Sequence, residues 1–446
     1  MFIPITRRAA MSAIAAPLLA QQPQRPNFVF ILIDDLRFNA PGYAGHPFVK
    51  TPNIDRIARE GANFTHAFTT TPLCSPSRAS FLTGRYVRSH KVLDNTDHNE
   101  LSHQLITWPR LLHDAGYETS YAGKWHMGTD DMPRPGFDKW VSFRGQGAYV
   151  DPALNINGER IKASGYMTDI LSDHTVEFLR KPRNKPFAAY LAHKAVHGPF
   201  TPADRHKDLF TNEAIVRTPN AQDEFAGKPV MTRKIEGVPA IAGLGSGDEL
   251  IRNQLRCLTA IDEGVGKIWK ALEETKQLDN TFFVFTSDNG YFWGEHRLGD
   301  KRWAYEESIR LPLTIRYPKL IKAGAKFDQL VLNVDMAPTI LELAGVKGPT
   351  EIQGKSILPI LKGTAKNWRT SFLSEYFTEK NTPRVPNWQA VRDSEWKYIH
   401  YTDLEGMDEL YNVKSDPGEM KNLIHDAPKI APAMRKELER YNEIIR

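Results

Sequence analysis

The sequence predicts an α/β fold: a large, mainly parallel sheet flanked by helices, then a small C-terminal antiparallel sheet plus helix. Three observations carry this. Compact apolar runs, rich in β-branched and aromatic residues, recur as far as Tyr291, and each breaks off into polar residues and glycine. Strands buried on both faces of a parallel sheet read this way. Between them lie segments with helical spacing, the alternation expected of strands joined by crossover helices. After Lys362 the texture changes to short strand-like stretches separated by turns.

In chain order, "RPNFVFILIDDL" opens after Pro26 as the first buried strand. "PNIDRIAREGANF", "TWPRLLHDAGYETSYAG" and "TDILSDHTVEFLRK" carry helical patterns. "PFAAYLAHKAVHGPF" repeats the strand pattern, and the polar, Gly-containing stretch from Asn212 to Gly247 reads as a long surface excursion. Over Asp248–Thr275 the residues Ile251, Leu255, Leu258, Ile261, Val265 and Ile268 recur at helical spacing. "DNTFFVFTSDNGY" is a third buried strand, and "NVDMAPTILELAGV" opens another helix. "SFLSEYF", "WQAVRDSEWKYIHY" and "DELYNV" read as short strands, and "APAMRKELERYNEIIR" as the closing helix.

Hydrophobic residues at 41% and charged residues at 25% of 446 place the chain among ordinary soluble globular proteins. The net charge of +5, with Arg7 and Arg8 in an N-terminal leader, is too small to argue for nucleic acid. Cys74 and Cys257 cannot form a disulfide scaffold, and Cys257 sits among helical residues as a small packed side chain. The leader, "MFIPITRRAAMSAIAAPLLA", joins a basic pair to a short Ala-rich run with no acid before Asp34. This is the pattern of an export signal, of the twin-arginine type by its "TRR". Its apolar part falls short of the roughly 20 residues a membrane span needs. The chain therefore reads as exported, periplasmic or extracellular, with no membrane insertion.

Sites in open α/β sheets form at the carboxyl ends of strands. One such end carries Asp34-Asp35 and another Asp288-Asn289. Adjacent carboxylates meeting further oxygen ligands call for a cation, and an all-oxygen set favours calcium or magnesium over zinc. Taken singly, each pair also fits a helix cap or a turn. Cys74 stands in "TTTPLCSPSRASFLTGR". A thiolate nucleophile would want a nearby His, a zinc site would want more cysteines, and a buried structural Cys is the plain alternative.

The phrase Cys74-x-Pro76-Ser77-Arg78 followed by Leu82-Thr83-Gly84-Arg85 resembles the motif of type I, formylglycine-dependent sulfatases of the alkaline phosphatase superfamily. Further pieces follow in family order: "FILIDD", "GKWHMG", "HKAVHGPF", "FTSDNG", "GEHRLGDKRWAYEESIRLPL" and "DELYNVKSDPGEMKNL". The match spans about residues 26 to 425 and is similar to bacterial polysaccharide sulfatases. It implies an alkaline phosphatase-like fold; with the leader and the change of texture after Lys362, the chain divides into an export signal at 1–22, a catalytic sulfatase domain at 23–362 and a C-terminal α+β subdomain at 363–446. It implies that a maturation enzyme converts Cys74 to Cα-formylglycine, whose hydrated aldehyde is the nucleophile. By position it assigns one Ca²⁺ to Asp34, Asp35, Asp288 and Asn289, with the modified Cys74 completing the shell. Arg78 would steady the hydrate, and a helix entered here puts Arg78 on the face of Cys74 at the helix N-terminus. Lys124 and His126 would contact hydrate and sulfate, and a strand-like backbone would point both to one side. His126 would take the second hydroxyl's proton, while His197 and Lys301 would face the leaving alcohol; His193 is the rival to His197.

The implied reaction is hydrolysis of a sulfate monoester. A sulfated carbohydrate is the expected substrate, from export and from the aromatic and cationic set Phe292, Trp293, Arg297, Arg302 and Trp303. Those rings fit a hydrophobic core equally well. Arg297 and Val196 stand where many relatives have Gly and Pro, which touches the substrate rather than the reaction. The alternatives are an arylsulfatase of small aryl sulfates, a phosphonate or phosphodiester hydrolase of the same superfamily, or a binding protein with Cys74 left as a thiol.

Overall fold

A computed structural model describes residues 25–445 apart from positions 242 and 244, so the export signal expected over 1–22 lies outside the described residues. Ten strands form one sheet. In spatial order they are Ala325–Phe327, Ala62–Phe64, Leu313–Arg316, Thr281–Ser287, Asn27–Ile33, Phe187–Ala192, Glu118–Gly123, Lys139–Ser142, Ala153–Ile156 and Glu159–Lys162. The central five, from Thr281–Ser287 to Lys139–Ser142, run parallel. Antiparallel partners extend both sides: Leu313–Arg316 on one, the Ala153–Ile156 and Glu159–Lys162 hairpin on the other. The sheet is thus mixed, parallel at its centre.

Asn27–Ile33 is buried along its whole length because it serves two cores. Val29, Ile31 and Ile33 face the layer that holds the Asp248–Glu274 helix, while Phe28, Phe30 and Leu32 face the other. Side chains of successive strand residues point to opposite faces, so an unbroken apolar run is what such a strand requires.

Two segments read as helices are each a helix and a strand. In "PNIDRIAREGANF" the helix Pro52–Glu60 gives way to the strand Ala62–Phe64. In "TWPRLLHDAGYETSYAG" the helix Trp108–Asp114 starts at Thr107, whose side chain accepts from Arg110 N. It is followed by Gly116 at φ 88°, a left-handed turn that suits glycine, and by the strand Glu118–Gly123. The stretch 212–247 is less superficial than its polarity suggests. Asn220, Asp223, Lys228, Val230 and Met231 are buried, and Asp223 Oδ2 lies 2.7 Å from His296 Nδ1 and pairs with Lys228.

The C-terminal sheet, Ser371–Tyr376, Trp388–Asp393, Trp396–Tyr401 and Glu409–Asn412, is antiparallel throughout, and the helix Ile430–Ile444 packs Met434 and Leu438 inward. Phe372, Trp388, Tyr398 and Leu410 share a core with Phe68, Leu73, Phe292 and Tyr305. Glu375 N donates to Thr70 O at 2.9 Å, and Ser374 Oγ to Thr69 O at 3.2 Å. This sheet therefore braces the chain entering Cys74. Among the described residues no helix is long and apolar enough to cross a membrane.

Candidate active site

The site lies at the carboxyl ends of the central strands. Asp34 and Asp35 follow the strand Asn27–Ile33, and backbone hydrogen bonds continue past its end. Asp34 N donates to Ala195 O at 3.1 Å, and Asp288 N to Ile33 O at 3.0 Å. Asp35 turns into the left-handed region at φ 63°. Its N–H donates to Asp288 Oδ1 at 3.1 Å, and Asn289 Nδ2 donates to Asp35 Oδ1 at 2.7 Å. Asp34, Asp35 and Asp288 each offer an oxygen within 4.8 Å of the others, all buried.

Leu73, in extended conformation, leads into the helix Cys74–Thr83, so Cys74 occupies its first position. Cys74 Sγ lies 3.5 Å from Asp34 Oδ1. One turn on, Arg78 Nε donates to Asp288 Oδ2 at 2.9 Å, its Nη2 lies 2.8 Å from the same oxygen, and Nη1 donates to Lys124 O. The arginine fork, wholly buried, ties three segments together. Lys124 Nζ pairs with Asp34 Oδ2, and Lys301 Nζ donates to both oxygens of Asp35 at 2.8 Å. His197 Nε2 lies 3.8 Å from Asp35 Oδ2.

The residues after Gly123 do not continue as a strand. His126 has φ 62°, so Lys124 and His126 are not aligned by alternation. Lys124 reaches the carboxylates, whereas His126 Nδ1 meets Ser75 Oγ at 3.3 Å and Nε2 meets Gln146 Nε2 at 2.9 Å. His193 is buried away from this cluster, with neither ring nitrogen hydrogen-bonded among the described residues. Ser75, Gln146 and Lys194 are neighbours that sequence reasoning missed. Ser75 lay inside the quoted motif, Gln146 was flanked only by glycines, and Lys194 carried no signal beyond its nearness to His197. Lys194 Nζ donates to Gly198 O at 2.7 Å, and Tyr149 OH to His197 O at 2.6 Å, which fixes the His197 turn.

The electrostatics are those of a site built for charge. Burial pushes the Cys74 thiol up to about 12, and Asp34 adds to this against Lys124 and Lys301. Burial works against the Asp34 charge, yet Lys124 foremost, with His197, Arg78 and Lys301, holds that carboxyl well below its usual range. Asp288 goes the other way, pushed up by burial and by Asp34 against the pull of Arg78. Three carboxylates this close are not all comfortable ionised with only the cations present. Burial lowers His197 to about 4, and burial with Lys124 holds His126 well below its ordinary value.

The donor set fits a hard cation. Besides the three carboxylates, Asn289 Oδ1 is fully buried and has no hydrogen-bond partner among the described residues. An orphaned amide oxygen costs about 1–3 kcal/mol, which a bound cation would recover.

The proposed sugar-facing set is divided. Phe292 and Trp303 belong to the core, and Arg302 is engaged by Glu379 at 2.6 Å and by Asp300. Trp293 lies beneath the Arg37 guanidinium, 4.4 Å from ring centre to Cζ. Arg297 lies over the Phe225 ring at 5.8 Å. None of the five carries a substrate argument by itself.

A sequence model of the sulfatase family matches residues 26–346, and one described as N-sulphoglucosamine sulphohydrolase, C-terminal, matches 294–444. The N-acetylglucosamine-6-O-sulfatase of Bacteroides thetaiotaomicron is 34% identical over 474 residues, covering 91% of this chain and 84% of that protein. The N-acetylglucosamine-6-sulfatase of Homo sapiens is 32% identical over 458 residues, covering 91% and 82%. A solved structure in complex with its substrate D-glucosamine-2-N,6-O-disulfate superposes with a TM-score of 0.86 at 32% identity, covering 94% of this chain and 98% of that one.

Proposed function

The chain belongs to the sulfatase family, and from that premise we propose that it removes the 6-O-sulfate from a glucosamine-type residue of a sulfated saccharide. The activities named for the two relatives and the substrate of the superposed structure support this choice of sugar. The single observation that carries the chemistry is the meeting of Cys74, three buried carboxylates and an unpartnered Asn289 Oδ1 beneath four cationic or titratable side chains, Arg78, Lys124, His197 and Lys301.

In this reading Cys74 is converted to Cα-formylglycine by a maturation enzyme, and the hydrated aldehyde supplies one hydroxyl to attack sulfur and one to lose its proton. Asp34, Asp35, Asp288 and Asn289 would hold Ca²⁺, with the modified Cys74 completing the shell, and the ion supplies positive charge against a sulfate oxygen. Arg78 fixes Asp288 and leaves the N-terminus of the helix Cys74–Thr83 facing the ester, where developing negative charge is favoured. Lys124 and Lys301 neutralise Asp34 and Asp35 and can turn toward sulfate. His126 accepts the hydrate's proton. His197 Nε2 donates to the leaving alcohol, because an anionic ester beside the ring raises its proton affinity from the low value of the free site.

Arg78, Lys124 and Lys301 also suit an anionic phosphorus ester, so the test pairs substrates. Turnover is measured on 6-O-, 3-O-, 2-O- and N-sulfated glucosamines, an aryl sulfate, and matched phosphate and phosphonate esters. The 6-O-sulfate is expected to show the highest kcat/KM; preference for a phosphorus ester, or for the aryl sulfate alone, would overturn the proposal. Export follows from the leader sequence, and recovery of the mature chain only from the cytoplasm would contradict it. The division at 362/363 follows the change in sequence texture there.

A further inference from the structure

The strand Lys139–Ser142 ends beside the site in the turn "FRGQGAY". Gly145 and Gly147 adopt φ 55° and 65°, and a Cβ at Gly147 would meet the Phe143 ring at 2.5 Å. Only glycine fits there, and the two turns aim Gln146 inward. Its Nε2 lies 2.9 Å from His126 Nε2, while its Oε1 is buried with no hydrogen-bond partner among the described residues.

The other side of the ring decides the tautomer. Ser75 Oγ spends its proton on His126 O, so toward His126 Nδ1, 3.3 Å away, it can act only as acceptor. Nδ1 therefore carries the hydrogen, and Nε2 is the lone pair that the Gln146 amide N–H meets. We propose that Gln146 is a positioning residue for His126: Ser75 sets the Nδ1–H tautomer, and the Gln146 amide holds the orientation of the ring through its single Nε2 lone pair. For His126 to take the hydrate's proton at Nε2 the amide N–H must first yield that lone pair, and half a turn of the amide then brings Oε1 against the new N–H. The imidazolium then keeps both neighbours, Ser75 Oγ on Nδ1 and Gln146 Oε1 on Nε2. The charged groups facing the ring from elsewhere are Lys124, Asp34, Arg78 and His197, and they are unchanged by this rotation. Oε1 is thus unpartnered only while the histidine is neutral.

This rests on the proposed role of His126 as proton acceptor. The test uses the full chain, matured and calcium-loaded, with isotope-labelled histidine ring nitrogens, together with Gln146→Met and Gln146→Glu. The wild type should show His126 protonated at Nδ1 alone. Gln146→Met should keep the Nδ1–H tautomer that Ser75 sets, move the Nε2 resonance toward that of a lone pair without a donor, and lower kcat roughly 10- to 100-fold, the range for loss of a partner that orients a functional histidine. KM should stay within about twofold, as for an interaction that does not bind substrate. Gln146→Glu, which supplies a charged acceptor, should move the acidic limb of the kcat–pH profile to higher pH. A wild-type ring protonated at Nε2, or an Nε2 resonance, kcat and pH profile unmoved in both variants, would overturn the inference. The ring measurement needs no turnover, so an Nδ1–H ring in a protein inactive on every sulfate ester would refute the proposed function instead.

Discussion

Arg78→Met removes one buried charge while keeping much of the side-chain stem. Asp34 retains Lys124 and Asp35 retains Lys301, so the loss falls on Asp288. Among the described residues that carboxylate keeps only backbone donors, Asp35 N at 3.1 Å and Asn289 N at 2.8 Å. Breaking a buried pair by deleting one partner costs about 3–5 kcal/mol, more than a hundredfold in the folded-to-unfolded ratio. Asp288, already pushed up by burial, can escape part of this by binding a proton. The penalty should accordingly be larger at pH 8 than at pH 5. Equilibrium denaturant unfolding in chelator, on protein with Cys74 unconverted, separates this from turnover and from maturation. Arg78→Lys should fall between, since it keeps the charge and loses the fork. A loss under about 1 kcal/mol at pH 8 would reduce the buried pair to the worth of a surface one and refute the reasoning.

Two further outcomes follow from the same cluster. Asp288 has a folded-state value raised to about 7 from an ordinary 3.8, so its contribution to stability is present below the lower value and is lost as pH rises through the upper one. In chelator the wild type should therefore lose stability between pH 4 and 7 more steeply than Asp288→Asn, and calcium should abolish the difference; identical slopes without calcium would contradict this. Asn289→Leu removes the orphaned Oδ1, so the upward shift in melting temperature on adding calcium should shrink, with affinity down about tenfold or more by titration calorimetry, whereas an undiminished shift would remove Asn289 from the ligand set.

What could be read from the residues was what long runs and strand ends announce. "RPNFVFILIDDL" and "DNTFFVFTSDNGY" carry enough buried apolar residues to declare central strands, and the acids at their ends declare a site. Short outer strands such as Ala62–Phe64 and Ala153–Ile156 have three or four residues, too few for a period, and owe their direction to the neighbours they pair with. The geometry around His126 depends on a left-handed backbone at a non-glycine residue, and Gln146 depends on two glycine turns, neither of which leaves a spacing pattern. The burial of Asp223 and Lys228 was concealed for the same reason: a polar sequence becomes interior only through partners distant in the chain, here His296.

Peptide mass analysis of the segment containing Cys74, made on the same preparation whose sulfate release is measured and beside a Cys74→Ala variant, decides whether the nucleophile is a rewritten side chain. An aldehyde in place of the CH2–SH group, present in proportion to turnover and with the alanine variant inactive, is the expected result. A wholly unmodified thiol in fully active protein, or alanine at position 74 without loss of rate, would contradict it.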